Sequence, residues 1–142
     1  MQTHPNEPEP VLVSACLCGD RCLWHGKARK SAAALRKVAA LGAVRIVKAC
    51  PEMLGGLPCP RPPVKKRRGR VFETCEDKSN RPNVTGRDVT EAFELGARRT
   101  LEICKREGVR RAILRAWSPS CDARGFAGRL LAENGIAVEN SF

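Results

Sequence analysis

Three short apolar runs, Val11 to Ala15, Val44 to Ala49 and Arg111 to Trp117, alternate with helix-like stretches, and each leads within a few residues to a cysteine: Cys16, Cys50 and Cys121. Strands that alternate with helices in this way assemble into a mostly parallel sheet through right-handed crossovers, with helices covering both faces. The expected fold class is therefore α/β, in a Rossmann-like three-layer arrangement. Ligands of such sheets sit just outside the carboxyl ends of the strands, so three thiols from distant parts of the chain are expected to meet at one edge.

The connecting stretches carry their own punctuation. Ser31 reads as the cap of a helix from Ala32 to Leu41 that Gly42 stops. Asp88 and Glu91 have capping-box spacing for a helix running to Glu107, whose stripe from Val89 through Phe93, Gly96, Ala97 and Leu101 to Cys104 has the period of a core face. Cys104 is thus a buried small hydrophobe, not a ligand. A last helix, Phe126 to Asn134, and a short strand, Ile136 to Val138, close the pattern. Between Pro51 and Asn83 lie six of the ten prolines and the basic run Lys65 to Arg70, so a regular helix is not expected there, only a short hairpin around Arg70 to Thr74.

A chain of 142 residues is the size of one domain. That domain is expected to span 11–142, with 1–10, which holds three prolines and two glutamates, disordered. No run approaches the roughly 20 apolar residues of a membrane span, and the first residues lack the pattern of a secretory signal. The expected location is cytoplasmic, where thiols stay reduced, and eight cysteines there call for metal binding or catalysis. The net charge of +11 favours anionic partners, yet aromatics make up only 4%, leaving few stacking platforms for bases. A basic, zinc-stabilised RNA-binding module is the alternative reading. Lys65, Lys66, Arg67, Arg68 and Arg70 would grip phosphates in it, although a solvated loop explains the same run.

Cys16, Cys18 and Cys22 form C-x-C-x3-C, which fits no zinc-ribbon or ferredoxin spacing. Cys18, Cys22, Cys59 and Cys75 lie in loops without the strand-end regularity, and no task is assigned to them. Three thiolates without a fourth ligand leave one coordination position open, the mark of a catalytic rather than a structural site, and soft thiolates select zinc or iron–sulfur clusters. Beside the thiols stand Ser14, Glu52, Ser118 and Ser120, suited to moving protons or orienting water. Equally, Ser118 and Ser120 flank Pro119 as in an ordinary turn, and Glu52 suits the first turn after Pro51.

At VLVSACLCG (Val11 to Gly19), CPEMLGGLPCPR (Cys50 to Arg61), GRDVTEAFELGA (Gly86 to Ala97) and SPSC (Ser118 to Cys121) the chain resembles the thiouracil desulfidase family, with the motifs in family order. The resemblance implies an oxygen-sensitive [4Fe-4S] cluster held by Cys16, Cys50 and Cys121, whose fourth iron accepts the sulfur of a thiocarbonyl such as that of 2-thiouracil or a thiouridine. The products would be the oxo compound and hydrogen sulfide, without net redox change. It also points to Glu52 and a serine of SPSC as acid/base or water-orienting groups. A small thiolated nucleobase or nucleoside is the implied partner, and a thiolated base within tRNA the further alternative. Trp24, His25 and Gly26 stand where the family tends to have an aromatic, an acid and glycine, and the chain departs from the pattern at Arg115, where lysine is usual. Asp122 replaces a glycine after SPSC, and the loop before Phe126 is shortened, which is expected to open the pocket or remove a substrate contact.

Overall fold

The computed structural model describes residues 7–76, 82–83 and 86–142. Its elements are β1 (Glu9–Ser14), a 3-10 turn (Ala15–Cys18), α1 (Ala32–Ala40), β2 (Val44–Ala49), α2 (Pro51–Leu54), β3 (Val64–Arg67) and β4 (Arg70–Glu73). They are followed by β5 (Cys75–Glu76), β6 (Pro82–Asn83), α3 (Thr90–Glu107), β7 (Arg111–Arg115), α4 (Phe126–Glu133) and β8 (Ala137–Ser141). The expected disorder of 1–10 falls outside the described residues for 1–6. Glu9 and Pro10 belong to β1, where they pair with Val44 and Arg45.

Four strands form one parallel sheet in the order β2-β1-β7-β8. Side chains of β1 alternate between the two faces, and both faces are covered. Val11, Val13 and Leu17 pack with Ala34 and Val38 of α1 on one side, together with Ile113. Leu12 and Leu114 pack with Cys104 of α3 and Leu131 of α4 on the other. This is the three-layer α/β arrangement expected from the alternation, and burial on both faces explains why β1 reads as a continuous apolar run. Ser14 pairs with Ala49 and Val13 with Ile113, so the carboxyl ends of the three strands stand level. No helix among the described residues is long and apolar enough to cross a membrane.

Local signals explain most boundaries. The Ser31 hydroxyl accepts from Ala34 N at 3.0 Å and starts α1. Helix α3 begins at Thr90 rather than Asp88, because Asp88 faces both ways: it accepts from Thr90 N (2.9 Å) and from Arg70 Nε (2.5 Å), joining β4 to the helix in place of a box with Glu91. The last strand runs on to Ser141, since β7 offers it partners up to Arg115. The basic run is not an open loop. It builds the β3–β4 hairpin, whose turn residues Arg68 and Gly69 have φ of 51° and 78°, the left-handed pair of a tight two-residue connection.

Helix α2 carries Glu52 and lies directly on α3 through backbone. A Cβ built on Gly96 would stand 1.9 Å from the Pro51 carbonyl oxygen, and one on Gly55 would stand 2.0 Å from that of Ala92. Only hydrogen fits at either contact, and the backbone atoms facing it cannot rotate away. Gly96→Ala is therefore expected to destabilise the fold by about 1–3 kcal/mol, the usual size of an overpacking strain, as measured by chemical denaturation. An unchanged unfolding midpoint would contradict the close approach.

Candidate active site

Each expected thiol arrives at the level end of a strand. Cys16 sits on the 3-10 turn after β1, Cys50 is the residue between β2 and α2, and Cys121 lies in the loop from β7 to α4. All three line one small cavity of ≈ 30 Å³. Cys104 is on α3 in the core, as its helical spacing indicated, and burial pushes its thiol up to about 11. Cys18 is half-buried beside the sheet core, and the side chain of Cys75 lies outside the described residues.

A fourth thiol, Cys22, lines the same cavity. Loop position gave no hint of this in the sequence. Residues 21–23 are drawn inward by their own carbonyls: the Cys59 thiol donates toward Arg21 O (2.9 Å) and Leu23 O (3.3 Å), and Arg61 Nη2 donates to Cys22 O (2.8 Å). Cys22 packs with Cys16 and against Cys50, whose thiol donates to Cys22 O at 3.8 Å. Hydrogen bonding among these neighbouring thiols lowers the pKa of Cys16 and of Cys50 and raises that of Cys22. The Arg115 guanidinium adds to the effect on Cys16, with Nε 2.9 Å from its sulfur, while burial acts against it. Cys121 has no such cation, and burial raises its thiol to about 12.

Beside the thiols runs a directional hydrogen-bond chain. Glu52 Oε1 accepts from Arg61 Nε (3.2 Å) and its Oε2 accepts from Ser120 Oγ (2.9 Å). Ser118 Oγ already accepts from the backbone N–H of Ser120 (3.3 Å) and Cys121 (3.1 Å), so its own hydrogen is free for Ser120 Oγ at 3.1 Å. Protons along this line therefore point from Ser118 through Ser120 to Glu52. Arg61 and Glu52 are an interior ion pair, with side chains only 4% and 13% exposed. Ser14 and Ser120 are buried. Ser14 accepts from Arg115 N (3.0 Å) and hydrogen-bonds to Cys121, so it sets the position of a thiol rather than facing the larger pocket described next.

That pocket, of ≈ 690 Å³, adjoins the thiol cavity, and Leu23, Glu52, Arg61, Arg115 and Ser118 line both. Trp24, His25 and Arg29 form part of its outer wall, and Trp117, 80% exposed, stands at its rim. Trp117 has φ 65° and is held there by its N–H, which donates to Asp122 Oδ2 at 2.7 Å. The Asp122 that stands where the resembling family has glycine thus shapes the rim. Val64 at the start of the basic hairpin also lines the pocket, whereas Lys65 and Lys66 face a neighbouring groove.

A family model described as 2-thiouracil desulfurase matches residues 11–140, which include the four cavity cysteines, Glu52, Arg61, Arg115, Ser118 and Ser120. The chain belongs to the 2-thiouracil desulfurase family. It is 33% identical over 134 residues to the uncharacterized protein YbbK of Bacillus subtilis (strain 168), covering 90% of this chain and 86% of that protein. It is also similar to a solved structure of the [4Fe-4S]-dependent thiouracil desulfidase TudS, with a TM-score of 0.76, 32% identity and coverage of 94% of this chain and 91% of that one. Arg115 bridges Cys16 Sγ and Arg29 O, the latter at 3.1 Å.

Sequence reasoning passed over Cys22, Arg61 and Arg115. For Arg61 a signal existed: an arginine amid GLPCPRPP, with no polar neighbour in sequence, must find its partner in space. Because that partner is the carboxylate of Glu52, removing either member strands a buried charge. Arg61→Met alone is expected to cost about 3–5 kcal/mol of stability, and Arg61→Met with Glu52→Gln substantially less than the sum of the two. A double-mutant cycle by urea unfolding measures this, and additive losses would mean that the pair is not coupled.

Proposed function

We propose that this protein is a [4Fe-4S]-dependent desulfidase that converts a thiolated pyrimidine base or nucleoside into its oxo form, releasing hydrogen sulfide without net redox change. The observation that carries the reading is the shared wall: the cavity of Cys16, Cys50 and Cys121 meets the larger pocket at Glu52 and Ser118. Family membership and the likeness to TudS support the same chemistry.

The donor set fits such a cluster. Three soft thiol ligands converge from separate strand ends, and the Arg115 and Arg61 guanidiniums stand by to offset thiolate charge. Thiols arrayed around a cavity suit a multinuclear group better than a lone zinc ion. When bound, the cluster supplies a thiophilic Lewis acid beside the thiocarbonyl.

The chain's own residues then handle water and protons. Balance requires that one water give its oxygen to the ring carbon and that two protons leave with the sulfur. Ser118 Oγ, exposed to both cavities, takes a proton from the attacking water as its own passes through Ser120 to Glu52. The backbone N–H groups of Ser120 and Cys121 stabilise negative charge on Ser118 during that transfer. Glu52 returns the proton to the departing sulfur, and the second proton, left on the added oxygen, follows the same route as the new carbonyl forms. Arg61 fixes the carboxylate without touching the larger step, and Trp24 and Trp117 offer apolar faces for a pyrimidine ring.

Anaerobic loading with iron and sulfide is expected to give a brown protein with about four irons per chain. That sample should release sulfide from 2-thiouracil or a thiouridine, with the oxo product identified by chromatography. Cys121→Ser should lose the colour. Glu52→Gln and Ser118→Ala should keep it while kcat falls by about 10²–10⁴-fold, the usual scale of general acid–base catalysis. A fully loaded protein that turns over no thiolated pyrimidine would refute the proposal.

A further inference from the structure

Cys22 is the cavity thiol that the reaction above leaves without a task. It is only 5% exposed, packs with Ala15 and Cys16 and against Cys50, and lines the same cavity as both. Cys121 belongs to a different apolar cluster on the α3–α4 side of the sheet. Cys22 lines the thiol cavity and also an outer groove formed with Cys50, Lys48 and Met53, but not the large pocket where Glu52 and Ser118 face substrate. Its reach is thus toward the metal positions served by Cys16 and Cys50 and away from the side open to substrate. Arg61 and Cys59 anchor its loop by backbone carbonyls, which holds the sulfur in place whatever its own bonding.

We infer that Cys22 is a standby cluster ligand, whose sulfur takes over from Cys16 or Cys50 when either loses its bond to iron. The inference rests on the cluster reading given above. The exchange moves no electrons: one iron–sulfur bond breaks, one forms, and the thiol proton of Cys22 passes to the departing thiolate within the cavity they share. A thiol with this role protects the bound cluster against loss, which a purely structural buried cysteine would not do.

The test compares iron, acid-labile sulfide and visible absorbance in anaerobically loaded variants of the full chain. Cys16→Ser and Cys50→Ser are expected to retain a four-iron cluster, and each is expected to lose it when combined with Cys22→Ser. Cys121→Ser should lose it whether or not Cys22 is present, and Cys22→Ser alone should keep the wild-type iron content. Unfolding curves of the iron-free variants separate loss of a ligand from loss of the fold. If Cys16→Ser does not fold, the Cys50 pair carries the comparison. Single variants that lose the cluster as completely as the doubles would overturn the proposal. Mild ferricyanide oxidation supplies a second reading by electron paramagnetic resonance. Wild type and Cys22→Ser should yield a three-iron signal at the same oxidant dose, whereas a signal in Cys22→Ser alone would show that Cys22 caps the fourth iron, contrary to the inference. A wild-type chain that takes up no iron at all would overturn this inference together with the cluster reading, a result distinct from failure of the double variants.

Discussion

The buried guanidinium of Arg61 ties together parts of the site that the chain delivers separately. Its Nε pairs with Glu52, its Nη1 donates to Pro58 O at 3.3 Å, its Nη2 donates to Cys22 O, and its backbone N–H donates to Trp24 O at 2.7 Å. A charge this deep is tolerated only when its donors are matched, and each match fixes a different piece: the acid on α2, the proline-rich strap and the loop that brings Cys22 inward. Ion pairs of this kind add little net stability over a well-packed apolar pair, so the gain here is positional. The carboxylate and the loop can occupy only one arrangement.

The sheet supplies the second constraint. Because β1, β2 and β7 are parallel and in level register, the residues just beyond them emerge at one edge with no further guidance. Cys16 and Cys50 follow directly. Cys121 comes through a turn in which the Ser118 hydroxyl accepts from two backbone N–H groups, so the serine that faces the pocket also shapes the path of the thiol behind it. Contact of α2 with α3 through Gly55 and Gly96 sets the height of Glu52 against this edge. Chemistry and packing therefore share residues, and the site has few positions free to vary without moving another.

Charge is arranged unevenly around the thiols. Cys16 has a guanidinium against it, and Cys50 has Arg61 nearby, whereas Cys121 is enclosed by apolar side chains and two serines. Arg115, where the resembling sequences have lysine, spans Cys16 and Arg29 O with a rigid planar fork that a single ammonium could not reproduce. The basic run that suggested nucleic acid is spent largely on a hairpin whose first residue lines the pocket, with Arg70 held by Asp88.

The alternation of apolar runs and helical stripes determined the layers, the parallel sheet and the strand ends, and with them the positions of Cys16, Cys50 and Cys121. Those features are written in periods of two and 3.6 residues, which a single sequence displays directly. The hairpin expected around Arg70 to Thr74 begins earlier, at Val64, and turns at an arginine–glycine pair. Tertiary structure alone decided that Cys22 joins the thiols, that Glu52 answers Arg61, and that Ser120 orients the acid while Ser14 sets Cys121. These choices depend on where loops from different crossovers meet, and loop backbone goes wherever buried donors and acceptors can be satisfied across long stretches of chain. Local periodicity carries no record of that matching.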